Sequence, residues 1–367
     1  SKPRLLDVGV PVHTRPMRKY TDLSPRDPDD RPTWVDHVDN PYLHGPYAPV
    51  QSEITAVNLE VLAGEIPADL YGACLRQGPN PVLEPRGLYH WFDGDGMVHG
   101  VYFRDGRASY IRRWVRTRAL HDELTSGRVE LSGIMGPYDL KRVAGRERES
   151  MNPDYCKDTA NTTLNLHNGK LLAAWYNAGR VHALDPLTLD TRGEETFGGD
   201  LDTPLNAHGK TDSRTGEYIN YGYADFQPWL TYWVFGPDGR AKHRARIDLP
   251  GPRLPHDTTI TPNYTILHDF PLYHDVNVLQ RTGHRVVQFH RDQPSRFGVI
   301  PRYGTQQQVR WFEFEPGYVL HMVNAHEDGD WIVMDGCFQP DPTIRRDRSE
   351  GVLASMLAYL RYKGHRR

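Results

Sequence analysis

Seven two-residue turn signals punctuate the chain: Asp105-Gly106, Asn168-Gly169, Thr215-Gly216, Asp238-Gly239, Pro262-Asn263, Pro316-Gly317 and Asp328-Gly329. Asn-Gly and Asp-Gly supply the positive φ angles of a type I′ turn, whose twist matches that of the strands it joins. The flanking text is strand-like, as in GVYFRDGRASYIRRWV, TTLNLHNGKLLAAWY and LTYWVFGPDGRAKHRARIDL. Each signal therefore predicts a hairpin. With 29 Pro and 33 Gly in 367 residues, little of the chain is left for long helices. The pattern predicts an all-β fold, and its recurrence over more than half of the chain fits a β-propeller with four-stranded blades of roughly 40 to 50 residues. A large sandwich is the other architecture compatible with it.

The ends read differently. Residues 1 to 45, which include SPRDPDDRPTW, carry no hydrophobic period and are expected to form an N-terminal arm, with residues 46–367 as the propeller domain. The segment SEGVLASMLAYLRYKG, residues 349 to 364, predicts a helix with Ser349 and Gly364 as caps, or else a long buried strand. A net charge of −3 gives no electrostatic reason to bind nucleic acid. No stretch approaches the roughly 18 apolar residues of a membrane span, so at most transient membrane contact is expected. Cys74, Cys156 and Cys337 are odd in number and form no C-x-x-C pair, which points to a reducing, cytoplasmic setting.

Three histidines stand in comparable contexts: His208 in LNAHGKTD, His256 in LPHDTTITPNY and His321 in YVLHMVNA. They are separated by 48 and 65 residues, too far for one helix or one zinc knuckle. One histidine per structural repeat, all converging on a point, would suit this spacing. Three neutral imidazoles at one point would hold Fe, Zn, Cu or Ni. For any one of them taken singly, a hydrogen-bonded structural role is the alternative.

Seven stretches in order, YGACLRQGPNP, LYHWFDGDGMVHGV, DTANT, NAHGKTD, LPHDTTITPNY, PSRFGVIPRYG and VLHMVNAHEDGD, resemble the carotenoid cleavage oxygenase family, which includes stilbene-cleaving enzymes. The resemblance runs from about residue 45 to the end. It implies a seven-bladed β-propeller holding a non-haem Fe(II) through four histidines, and cleavage of a conjugated C=C bond by O2 into two carbonyl products. His208, His256 and His321 match three of those ligands. Thr162 in DTANT resembles the family threonine whose methyl group restricts an open iron position.

Two departures accompany the resemblance. Tyr176, in LLAAWYNAG, stands where the family has a glutamate that accepts a hydrogen bond from a ligand imidazole. A phenol is the weaker acceptor, and groups that orient ligands affect metal affinity strongly. The fourth histidine has no match after His321: neither His326 in NAHEDGD nor His365 in YKGHRR fits. The propeller is therefore expected to be incomplete at its C-terminus here. Trp175 replaces a lysine that grips a phenol in stilbene cleavers, which favours a carotenoid or apocarotenoid over a stilbenoid or phenylpropanoid alkene. Trp175 and Phe297 are candidate tunnel residues for the apolar polyene or aromatic alkene, with O2 as co-substrate. A propeller that binds an apolar ligand without turnover is the non-enzymatic alternative.

Overall fold

The computed structural model describes residues 5–6, 41–43, 47–85, 89–134, 136–139, 156–177, 179–225, 227, 229–343 and 349. Most of the proposed arm, the helix expected at 349–364 and His365 lie outside the described residues. The chain divides into two compact units: Ser1–Gly136 with Lys157–Ala173 and His182–Glu194, and Pro137–Cys156 with Ala174–Val181 and Glu195–Arg367.

The first unit contains two antiparallel sheets. One orders Leu5–Leu6, Ile54–Ala56, Arg107–Trp114, Gly96–Arg104 and Gly72–Pro79 side by side, and the other runs Thr163–His167, Lys170–Ala174, His182–Leu184 and Thr191–Glu194 in sequence order. Asp105 and Gly106 have φ of 51° and 67°, and Asn168 and Gly169 have 47° and 68°, so both are the two-residue turns that their side chains favour. Val98, Val115, Ala160, Leu171, Ala173, Leu184 and Leu189 form its main apolar cluster.

The second unit repeats the four-stranded meander. Lys210–Thr211, Tyr218–Tyr223, Leu230–Phe235 and Ala241–Ile247 form one sheet, and Thr259–Ile260, Tyr264–Asp269, Ser295–Pro301 and Arg310–Phe314 another. Strands Tyr218–Tyr223 and Leu230–Phe235 are buried at every position. Burial on both faces is why they show no regular polar–apolar alternation, with only Asn220 and Thr231 polar among aromatic and aliphatic side chains. A hairpin of Leu272–His274 with Val287–Phe289 and the helix Val276–Thr282 are inserted between two strands of the second sheet. This insertion accounts for the longer of the two histidine intervals. Tyr318–Asp328 pairs with Trp331–Gln339 as a two-stranded ribbon.

Six of the seven turn signals join paired strands. The exception is Pro316-Gly317. It leads from Arg310–Phe314, an edge of one sheet, into Tyr318–Asp328, which pairs elsewhere, so the hairpin expected there is instead a crossing between sheets. The Gly317 N–H and C=O are both taken by Ser295 Oγ, at 3.0 and 2.9 Å, which fixes the crossing without strand pairing. Two helices were not anticipated, Arg118–Ser126 and Val276–Thr282, each with a capping side chain at its start, Thr117 and Asp275, and a left-handed glycine at its end, Gly127 and Gly283.

Candidate metal centre

Each of the three histidines comes from the opening stretch of a separate sheet in the second unit. His208 lies two residues before Lys210–Thr211, His256 three before Thr259–Ile260, and His321 near the start of Tyr318–Asp328. A parallel bridge between His208 and Asp257 sets the first two segments side by side. One ring nitrogen from each histidine falls within 4.8 Å of the others. The Nε2 atoms of His208 and His256 are 3.1 Å apart, and the His321 ring centroid is 4.9 Å from each of the other two.

Burial pushes the His208 imidazole down to about 4, against the opposing pull of the Asp257 carboxylate. Burial, together with the two neighbouring imidazoles, holds His256 well below the ordinary histidine range. Both rings are therefore neutral at pH 7, the form that offers a lone pair. Two metal–nitrogen bonds of about 2.1 Å meeting at about 90–110° place their nitrogens roughly 3.0–3.4 Å apart. The Nε2 separation falls in that interval. An imidazole set of this kind suits iron and its neighbours in the first transition row, so the residues present fit the metal.

Asp257 is the residue that motif reading passed over. Its Oδ1 accepts from Lys210 Nζ at 2.7 Å and from the Thr258 N–H at 2.7 Å, and its Oδ2 accepts from the Met322 N–H at 3.0 Å and lies 3.6 Å from His321 Nδ1. Burial raises its pKa, but these hydrogen bonds and the Lys210 charge prevail and hold the carboxylate below its usual range. Its backbone carbonyl accepts from the Tyr221 hydroxyl at 3.0 Å and contacts His268 Nε2. The one available signal was the adjacency of Asp257 to His256, with no hint of which distant groups it would meet.

Tyr176 is half-buried, with its ring centroid 6.4 Å from that of His256, and its carbonyl accepts from the Tyr223 hydroxyl at 2.8 Å. Trp175 is fully buried and its indole N–H finds no acceptor among the described residues. Phe297 packs edge-on against Phe270 and Phe314, and belongs to the apolar cluster that includes Tyr318, Val319 and Met322, the residues that flank His321 in sequence. Thr162 belongs to the first unit; its hydroxyl donates to Asn161 Oδ1 at 3.0 Å, and Asn161 Nδ2 in turn donates to the carbonyls of Phe92 and Gly94. His326 pairs with Val333 along the ribbon and is not part of the histidine cluster.

Comparison with known proteins gives this arrangement its class. Residues 47–357 match the family model described as retinal pigment epithelial membrane protein. The carotenoid 9,10(9′,10′)-cleavage dioxygenase of Crocus sativus is 35% identical over 316 residues, covering 83% of this chain and 57% of that protein. Among solved structures, the lignostilbene dioxygenase of Pseudomonas brassicacearum superposes with a TM-score of 0.70 at 32% identity, over 82% of this chain and 62% of that one. A cobalt-substituted apocarotenoid oxygenase of Synechocystis does so at 0.67 and 29%, over 80% and 63%. The chain belongs to the carotenoid cleavage oxygenase family, and its fold class is the all-β propeller. It spans a little under two thirds of the length of these relatives.

Proposed function

We propose that this chain carries the metal site of an Fe(II)-dependent oxygenase that cleaves a conjugated C=C bond of a carotenoid or apocarotenoid. The overall change is balanced: one alkene and one O2 give two aldehydes or ketones. The observation that carries the proposal is the convergence of the His208, His256 and His321 imidazoles from three separate sheets. Bound Fe(II) would supply O2 activation. The protein would hold the metal without adding a carboxylate to its first set of ligands, and would keep the alkene in a dry apolar surround. The fourth ligand is not specified by these residues. Thr162 is proposed to restrict the open metal position and Tyr176 to border the ligand rings in place of a glutamate.

Substrate choice rests on Trp175. Its buried N–H, which has no acceptor among the described residues, is the kind of group that a ligand oxygen satisfies, which suits an oxygen-bearing apocarotenoid, with Phe297 as apolar wall. An aromatic alkene is the second reading, supported by the similarity to a lignostilbene dioxygenase. Residues 1–45 would serve as an arm to the oxygenase body of 46–367. A cytoplasmic setting is proposed from the odd number and wide spacing of Cys74, Cys156 and Cys337, none in a C-x-x-C arrangement.

The test is metal analysis of the protein and of His256→Ala, followed by O2 uptake with an apocarotenal and with a hydroxystilbene. About one iron per chain, lost in the variant, with O2-dependent bleaching of the polyene is the expected result. Metal-free protein that still binds the polyene would replace this reading with that of a binding propeller.

A further inference from the structure

The ribbon that carries His321 is irregular where the histidine stands. Along Tyr318–Asp328 the pairing with Trp331–Gln339 slips between Val319 and Met322, and again between Met322 and Asn324. Such a bulge disrupts the ladder and re-aims the side chains beside it. Here the Met322 N–H leaves the ladder for Asp257 Oδ2, at 3.0 Å, and the same oxygen lies 3.6 Å from His321 Nδ1. Lys210, two residues beyond His208, grips the other carboxylate oxygen at 2.7 Å. Asp257 itself adjoins His256 and bridges to His208. One buried carboxylate, its side chain 3% exposed, is thus tied to all three histidine segments.

We infer that Asp257, clamped by Lys210, is the positioning residue of the site: it holds the bulge at Met322, aims the His321 ring, and so fixes how the three imidazoles meet. The inference rests on the metal-site reading above. A carboxylate beside the distal nitrogen of a ligand histidine orients the ring and raises its basicity, and removing such a partner typically weakens metal binding about 10–100-fold. Tyr176, standing where the resemblance implies a glutamate, brings no carboxylate to His256. Among the described residues, Asp257 is the carboxylate that reaches the cluster.

The experiment is Co(II) titration of the metal-free protein, read from the visible Co(II) bands, for the wild type, Asp257→Asn, Asp257→Glu and Lys210→Met. Far-UV circular dichroism and the Tm of the metal-free forms are recorded beside it. Asp257→Asn is expected to bind Co(II) about 10–100-fold more weakly, with displaced bands and an unchanged circular dichroism spectrum. Asp257→Glu should recover part of the affinity, and Lys210→Met should lose less than Asp257→Asn. Wild-type affinity and an unchanged spectrum in Asp257→Asn would overturn the inference while leaving the metal site intact. If Asp257→Asn does not accumulate as folded protein, Lys210→Met decides: unaltered affinity and bands overturn the clamp, and weakened binding with shifted bands supports it. A wild type that takes up no Co(II) overturns the metal site and the inference together.

Discussion

A single buried imidazole shows how far one residue's surroundings decide its chemistry. His268 is 1% exposed, stacks on Phe270 with ring centroids 4.4 Å apart, and donates from Nε2 to the Asp257 carbonyl. Burial lowers its pKa from 6.5 to about 4. The consequence for stability has a definite sign. Below pH 6.5 the unfolded chain takes up a proton that the folded chain refuses, so folding weakens as pH falls from 6.5 toward 4. At pH 5 this amounts to about 2 kcal/mol. Urea denaturation of metal-free wild type and His268→Gln at pH 7.5 and pH 5 should show the wild type losing about that much more than the variant. Equal losses would mean that His268 is not held neutral in the fold.

At the scale of the strand and the turn, glycines separate two physical costs. Gly169 has a φ of +68° and nothing within 4 Å of where a Cβ would stand, so Gly169→Ala pays only for the left-handed backbone, about 1 kcal/mol. Gly222 has no such φ. It sits in the fully buried strand Tyr218–Tyr223, where a Cβ would come within 2.0 Å of the Pro204 carbonyl oxygen. Backbone cannot rotate aside as a flexible side chain can, so Gly222→Ala should cost about 3 kcal/mol, the upper end of the usual cost of overpacking a core. Denaturant midpoints of the two variants test the ordering, and a Gly222→Ala protein as stable as Gly169→Ala would contradict it. The same scale shows the reach of local signals. Asp105-Gly106 and Asn168-Gly169 specify their turns because φ is a property of the residue itself. Pro316-Gly317 specifies a turn as well, but whether the strands on either side pair depends on partners elsewhere. Helix Val276–Thr282 was legible in Asp275 and Gly283, and went unread because seven residues carry little apolar period.

At the scale of the molecule, each unit holds its own buried charge. In the first, Lys157 Nζ lies 2.8 Å from Asp95 Oδ1 and 2.6 Å from Glu123 Oε2, with all three side chains at most 7% exposed. Burial works against the Lys157 charge, yet the two carboxylates outweigh it and hold the ammonium above its ordinary range. Lys157→Met would strand two carboxylates in an apolar interior, at a cost of about 3–5 kcal/mol. Its Tm should fall by many degrees, and a Tm within a degree or two of wild type would show the cluster to be hydrated. In the second unit, Arg302 Nη1 reaches Asp212 at 2.7 Å and Glu217 at 3.2 Å, and Arg285 Nη2 reaches Asp225 at 3.0 Å beside His274. The arginines of PSRFGVIPRYG, Arg296 and Arg302, accordingly engage carboxylates.

What the sequence by itself determined is what short-range chemistry encodes: turn residues with their own φ preferences, strands between them, and three histidines spaced as if one came from each of several structural repeats. The family could be read from ordered motifs for the same reason. Tertiary structure alone decided that one ring nitrogen from each of these histidines would come within 4.8 Å of the others. It also decided that Asp257 would be the group joining their segments, through Lys210 and Met322, 47 and 65 residues away in the chain. A buried carboxylate must find donors, but which donors it finds depends on how the sheets bring distant segments together.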